Sequence, residues 1–323
     1  RAREALGRCA RRHSRVRQLT PTSATAFADL FRFTPSLESF VLGARRAALS
    51  EAPILILGEP GSGRSILARG LHAISARASG PLVEVDISAI PSTLFESELF
   101  GIRPGAFTGA ETAVAGRIER AEGGSLLLDH VEAIPLAAQP KLLRILAESR
   151  YSPLGGRERV ADVRFLGIGS EDLPDRVSHG SFRQDLFYRL EVVTLRLPPL
   201  RERRADLEPL LELFMTDLAQ RFGKEDLQIT DAARAWMEDY PWPGNLRELR
   251  NVLERALITQ STGPLDPPCP GRRGGRPESL HEVEKRQILR ALAYTRGHQG
   301  KAAELLGISR KTLWEKRKRY EIP

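Results

Sequence analysis

The stretch GEPGSGRS, residues 58–65, carries the strongest chemical signal in the chain. It follows the aliphatic run PILIL and precedes SILARGLHAI. It fits the phosphate-loop pattern G-x-x-x-x-G-K-[ST] except that Arg64 stands in the lysine position. Gly58, Gly61 and Gly63, with Glu59, Pro60 and Ser62 between them, let backbone N–H groups turn toward phosphate oxygens. The helix that follows presents its positive end to the same place. Arginine is longer, planar and forked where lysine is a compact charge. The backbone donors therefore preserve binding, while geometry at a terminal phosphate is disturbed.

A second run, GGSLLLDH at 123–130, supplies the partner such a loop needs. Asp129 ends the aliphatic stretch, placed with the Ser65 hydroxyl to hold Mg2+ beside a nucleotide. An acidic residue that polarises the attacking water usually comes next, and here it is His130. Imidazole accepts a proton but has a different reach from a carboxylate. Glu132 lies two residues further on and need not point the same way. Gly123 and Gly124 open the run and are grouped with the nucleotide-binding residues.

These groups need strands to carry them. PLVEVDIS and ADVRFLGIGS are further short aliphatic runs, and helix-like stretches such as AAQPKLLRILAES separate the runs. The alternation predicts an α/β unit over 24–200 with a mostly parallel sheet covered on both sides. From 201 to 260 the pattern is helical. Residues 261–279, STGPLDPPCPGRRGGRPES, are rich in Pro and Gly and read as a linker. Residues 280–323 read as a separate module of three helices. Ile288, Leu289 and Leu292 form one apolar face, and Ala302, Ala303, Leu305 and Leu306 a second.

In that module GIS is a tight turn and Ser309 a helix cap before RKTLWEKRKRY, the pattern of a helix-turn-helix. Ser309, Arg310, Lys311 and Thr312 would approach base edges of double-stranded DNA. Lys316, Arg317, Lys318 and Arg319 would touch phosphates. Charge agrees: residues 281–323 hold eleven Lys and Arg against five Glu, and residues 1–20 hold seven Arg against Glu4, which leaves the body mildly acidic.

Several classes are excluded. No apolar run approaches the ~18–20 residues of a membrane span, and no secretory signal is present. The six histidines form no metal-ligand pattern. Cys9 and Cys269 have no C-x-x-C spacing, which suits a reducing cytoplasm. The chain begins at Arg1 rather than Met, as a fragment would. The basic stretch 1–23 is too short for a receiver or sensor domain, so the input is a separate partner or an upstream domain.

One more segment, GAFTGA at 105–110, contains no acid, base or metal ligand, only Phe107 and Thr108 framed by Gly105, Ala106, Gly109 and Ala110. With ESELFGIRPGAFTGA, FRQDLFYRLEVVTLRLPPLRERRADL and YPWPGNLRELRNVLERA, residues 24–260 resemble the AAA+ domain of sigma-54-dependent transcriptional activators. The C-terminal module resembles the Fis-type helix-turn-helix of that family. The resemblance implies a ring, usually a hexamer, with ATP and Mg2+ between subunits. It implies Arg183 and Arg189 as arginines reaching a neighbour's nucleotide, and Arg247 as the sensor arginine of the lid. Residues 105–110 would be a mobile tip on the sigma-54 RNA polymerase holoenzyme.

The departures from the family pattern surround the nucleotide. Besides Arg64 and His130, Asp86 and Ser170 stand where asparagines are expected. Asp86 and His130 are expected to pair with each other. Four changes at one site imply impaired hydrolysis. Two outcomes stay open: an activator that remodels the holoenzyme with a degenerate site, or a DNA-bound repressor, scaffold or mixed-ring subunit that does not.

Overall fold

The central strands follow from their composition. β1 (Ile54–Gly58) is ILILG, and all five residues are buried. A parallel sheet with both faces covered produces unbroken apolar runs of this kind. The computed structural model describes residues 34–106, 112–224, 227–260 and 263–269. Beyond these it describes 284–285, 287–288, 291–292, 295 and 298–320.

β1 is joined by β2 (Leu82–Asp86), β3 (Ser125–Asp129), β4 (Arg164–Gly169) and β5 (Val193–Leu197). The order is β2-β3-β4-β1-β5, with every pairing parallel. The two-residue period decides which side chain faces which layer. Leu55 and Leu57 pack with Leu126, Leu128 and Phe165, while Ile54 and Ile56 pack with Leu127, Leu166 and Ile168 on the other face.

A buried charge fastens this sheet to the helix before it. Arg164, 2% exposed at the start of β4, donates from Nη1 to the Ala48 carbonyl at 2.7 Å and from Nη2 to that of Ala47 at 2.8 Å. These carbonyls end α1 (Glu38–Ala48), where orphan acceptors and the helix dipole favour a cation. Burial pushes the Arg164 pKa down, yet a guanidinium remains charged in proteins.

The helical region contains α5 (Leu207–Phe222), α6 (Asp231–Asp239) and α7 (Asn245–Thr259), preceded by α2 (Arg64–Ala73), α3 (Gln139–Glu148) and α4 (Gln184–Leu190) in the α/β part. Its core closes on Trp242, 2% exposed, whose indole Nε1–H donates to the Met237 carbonyl at 2.9 Å. Tyr240 meets that ring edge-on, with centroids 5.0 Å apart. The linker reading is corrected at its start. Leu265 is 2% exposed in this core and exchanges backbone bonds with Gln228 and Thr230. A one-residue bridge leaves no periodic trace in sequence, so the apolar anchor was hidden among prolines.

The chain divides into two compact units, 1–267 and 268–323. In the second, α8 (Gln299–Leu305) and α9 (Arg310–Arg319) close a small core of Ile288, Ala291, Ala302, Ala303, Leu313 and Tyr320. Leu305 was expected in this core but is 59% exposed. Among the described residues no helix is long and apolar enough to cross a membrane.

Candidate nucleotide site and DNA-facing helix

The phosphate loop sits where parallel strands end, the usual place for ligands in such sheets. Gly63 caps α2 in a left-handed conformation (φ 109°), and no side chain satisfies the helix's first N–H groups. An uncapped N-terminus behind a glycine turn fits a phosphate chain. Ser65 Oγ lies 3.5 Å from Asp129 Oδ2, which brings two hard oxygen donors together. No group of three His, Cys, Asp or Glu gathers to hold a metal among the described residues. A Mg2+ ion here would share its coordination with phosphate oxygens, as that ion commonly does.

Arg64 does not extend along the loop. Its Nη1 donates to the Gly58 carbonyl at 2.8 Å and to the Gly169 carbonyl at 2.6 Å, at the ends of β1 and β4. The residue is 7% exposed, and burial pushes its pKa down. One guanidinium nitrogen, Nη1, thus ties the side chain to the ends of two strands.

Strand register explains the next pairing. Asp86 and Asp129 are direct partners at the ends of β2 and β3. His130 follows in a left-handed conformation (φ 59°), uncommon for a residue other than glycine. Its backbone N–H donates to Asp129 Oδ1 at 2.9 Å, and its Nδ1 lies 3.0 Å from Asp86 Oδ1. The expected Asp86–His130 contact is present, with Ser88 as an unforeseen third member. The Ser88 hydroxyl donates to the same Asp86 oxygen at 2.7 Å. Asp86 is held below the usual carboxylate range, first by Ser88 and then by His130. This stabilisation is present above the ordinary carboxylate pKa and is lost as pH falls through the lowered one. Ser88→Ala should therefore raise the Asp86 titration more than His130→Gln does. Carboxyl-carbon NMR over roughly pH 2 to 6 checks the order.

Ser170 and Glu132 meet beside this cluster. The Ser170 backbone N–H donates to Glu132 Oε2 at 3.3 Å, while the Ser170 hydroxyl donates to Asp172. The Ser170 hydroxyl is thereby committed within its own turn.

The loop is also tied to the helical region. Arg201 donates to both Glu59 oxygens at 2.7 and 2.8 Å, and Asn245 Nδ2 donates to Glu59 Oε2 at 3.0 Å and to the Pro60 carbonyl at 3.2 Å. Glu59, grouped with the nucleotide contacts, thus turns its carboxylate to the lid. Asn245 is fully buried, has φ 52°, and accepts from the Leu200 N–H at 2.7 Å. Leu246 N–H donates to the Gly61 carbonyl at 3.0 Å. A Cβ on Gly61 would stand 2.3 Å from the Gly244 carbonyl oxygen and 3.2 Å from Arg247 Cβ, so only glycine allows this approach. Arg247 is exposed at this junction. Sequence reading missed Asn245, Arg201 and Ser88, and named Glu132 without foreseeing its bond to the Ser170 N–H. PGN was a legible turn signal, but the bonds span most of the body.

One assignment is corrected. Gly123 and Gly124 precede β3, whose far end holds Asp129; at about 3.3 Å per residue that is roughly 16 Å away. Their N–H groups bond Asp162 and Ala121 carbonyls, and a Cβ on Gly124 would stand 2.0 Å from the Pro81 carbonyl oxygen. They serve the sheet edge. Lys316 and Arg317 share the inward side of α9 with Leu313 and Tyr320: Lys316 pairs with Glu284, and the Arg317 Nε is buried. Both are half-buried, whereas Lys318 and Arg319 are exposed.

Arg183 and Arg189 do not bond the phosphate loop of their own chain. Arg183 pairs with Asp185 at 2.7 Å, and Arg189 Nε donates to the Leu146 carbonyl near the end of α3 at 2.9 Å. Ser309 caps α9 by accepting from the Thr312 N–H at 3.0 Å, as expected. Arg310 and Lys311 stand exposed in its first turn. Gly105 (φ 83°) and Ala106 lead into the GAFTGA tip, whose residues 107–110 lie outside the described residues.

Comparison with known proteins converges on one family. A model described as the Sigma-54 interaction domain matches residues 30–196, an AAA+ ATPase lid domain matches 201–268, and Bacterial regulatory protein, Fis family, matches 279–320. The chain is 42% identical over 300 residues to the alginate biosynthesis transcriptional regulatory protein AlgB of Pseudomonas aeruginosa, covering 90% of this chain and 67% of the relative. It is 39% identical over 309 residues to the regulatory protein AtoC of Escherichia coli, with the same coverage of both. NtrX from Brucella abortus in complex with ATP superposes with a TM-score of 0.69 at 31% identity, over 90% of this chain and 69% of that one. A phosphate loop at the strand ends, a helical lid and a capped helix-turn-helix, matched along their lengths by these three models, make the chain a member of the sigma-54-dependent transcriptional activators.

Proposed function

We propose that this regulator binds ATP with Mg2+ through residues 58–65 and Asp129 but turns it over poorly. In this reading it docks on sigma-54 through residues 105–110 and binds duplex DNA through α9. One observation carries the impaired-turnover reading. The Arg64 guanidinium is bound to the Gly58 and Gly169 carbonyls, so the side chain that should meet the terminal phosphate is held by the sheet. His130 points to Asp86, which removes the water-polarising group as well. Such a site holds nucleotide through backbone donors and the cation, and lacks the groups that stabilise phosphoryl transfer.

A second reading has its own support. The Arg183–Asp185 pair is exposed, and surface pairs contribute little, so Arg183 can leave Asp185 at low cost. Arg189 is anchored to α3 carbonyls. Arg183 is therefore the better candidate for reaching a neighbour, and the chain would serve in a ring whose other subunits hydrolyse ATP. Cytoplasmic residence accompanies either reading. Calorimetric titration of the full chain with ATP and Mg2+ should give saturable binding, with phosphate release near background and little open complex on a sigma-54 promoter. Release at the rate of the triple variant described in the Discussion would overturn the impaired-site reading. Open complex restored only by mixing with a complete activator would favour the mixed ring.

A further inference from the structure

α9 leaves one large aromatic outside the core. Trp314 is 57% exposed, although its neighbour Leu313 is 1% exposed and Tyr320 is 7% exposed. At i, i+3 and i+7, Lys311, Trp314 and Lys318 fall along one outward strip of the helix, all three exposed. Lys318 Nζ stands 5.5 Å from the Trp314 ring centroid, a cation–π contact that holds the indole along the helix. An apolar plane flanked by cations, one turn past the capped N-terminus of a recognition helix, matches one kind of occupant. Major-groove edges of duplex DNA offer the thymine methyl group as an apolar contact, with phosphates on either side.

We propose that Trp314 is a base-reading residue of this protein, packing its indole against a thymine methyl in the major groove beside Lys311 while Lys318 engages the adjoining backbone. This rests on the DNA-binding reading of α9. The two sides of the helix then have different roles. Lys316 and Arg317 brace it from inside, and the strip through Trp314 supplies discrimination in addition to charge. An exposed tryptophan used instead to join two copies of the chain is the competing role, and it predicts a different result.

The test uses the full chain and duplexes selected by it from a random-sequence library. Wild-type affinity should fall steeply with salt; a flat salt response would remove the DNA-binding reading itself. Trp314→Ala should weaken the selected duplex about tenfold or more, and unrelated duplex less than about twofold, with an unchanged salt slope. Lys318→Ala should weaken both and lower the slope by about one. Replacing thymines one at a time by deoxyuridine, which removes only the methyl, should reproduce part of the Trp314→Ala loss at one position, and the two changes should not add. Equal losses on selected and unrelated duplex, or full additivity at every thymine, would overturn the proposal. So would a lower oligomeric state in the variant at constant affinity per subunit. Because Trp314 is outside the core, helical circular dichroism should be unchanged, and Trp314→Phe should recover part of the discrimination.

Discussion

Changing Arg64 to lysine, His130 to glutamate and Asp86 to asparagine together is expected to raise ATP hydrolysis about a hundredfold or more. A positioned general base alone contributes roughly 10²–10⁴. The three changes depend on one another. His130→Glu alone would set a carboxylate where an imidazole now lies 3.0 Å from Asp86 and 3.6 Å from Asp129. Like charges that close disfavour ionisation, so this single change should gain little. Asp86→Asn removes one repulsive partner and supplies an amide to hold the new glutamate. Arg64→Lys releases the Gly58 and Gly169 carbonyls and restores a compact charge to the loop. Phosphate release by each single, double and triple variant measures the coupling. Gains that multiply independently would mean the three residues do not form one unit.

Asn245→Ala is expected to destabilise the body by roughly 3–5 kcal/mol. Three hydrogen bonds are lost and the buried Leu200 N–H is left without its acceptor, while Glu59 keeps both bonds from Arg201. Alanine also tolerates the left-handed backbone less well, at about 1 kcal/mol. Against a typical total of about 5–15 kcal/mol this is a large fraction. Asn245→Gly separates the causes, because it removes the bonds and keeps the backbone. Asn245→Asp keeps the conformation and the acceptor but faces the Glu59 carboxylate, so Glu59→Gln should partly rescue it. Urea unfolding followed by the fluorescence of Trp236 and Trp242 reads all four variants. Loss of less than about 1 kcal/mol in Asn245→Ala would show the junction to be incidental.

Much of this architecture was legible because it rests on local pattern. ILILG before a glycine turn, SLLL before Asp129 and the cap at Ser309 each state their element within a few residues. Strand order was not legible, since it depends on how crossovers fold back. Strand polarity explains the misplacement of Gly123 and Gly124: both glycines sit near Asp129 in sequence, but an extended strand carries them to the opposite edge of the sheet. Lys316 and Arg317 were read by charge alone. Their spacing with Leu313 and Tyr320, at i, i+3, i+4 and i+7, places them on the side of the helix that carries the core residues. Asn245 and Glu59 are 186 positions apart, and no periodicity connects them.

Arg164 gives the sheet a mechanical role. It pegs the end of α1 to the first residue of β4, and the last residue of β4, Gly169, holds Arg64 of the phosphate loop. A strand braced between neighbours on both sides is stiff along its length. The end of α1 and Arg64 of the phosphate loop are thus tied to opposite ends of one strand, about 17 Å apart by its rise.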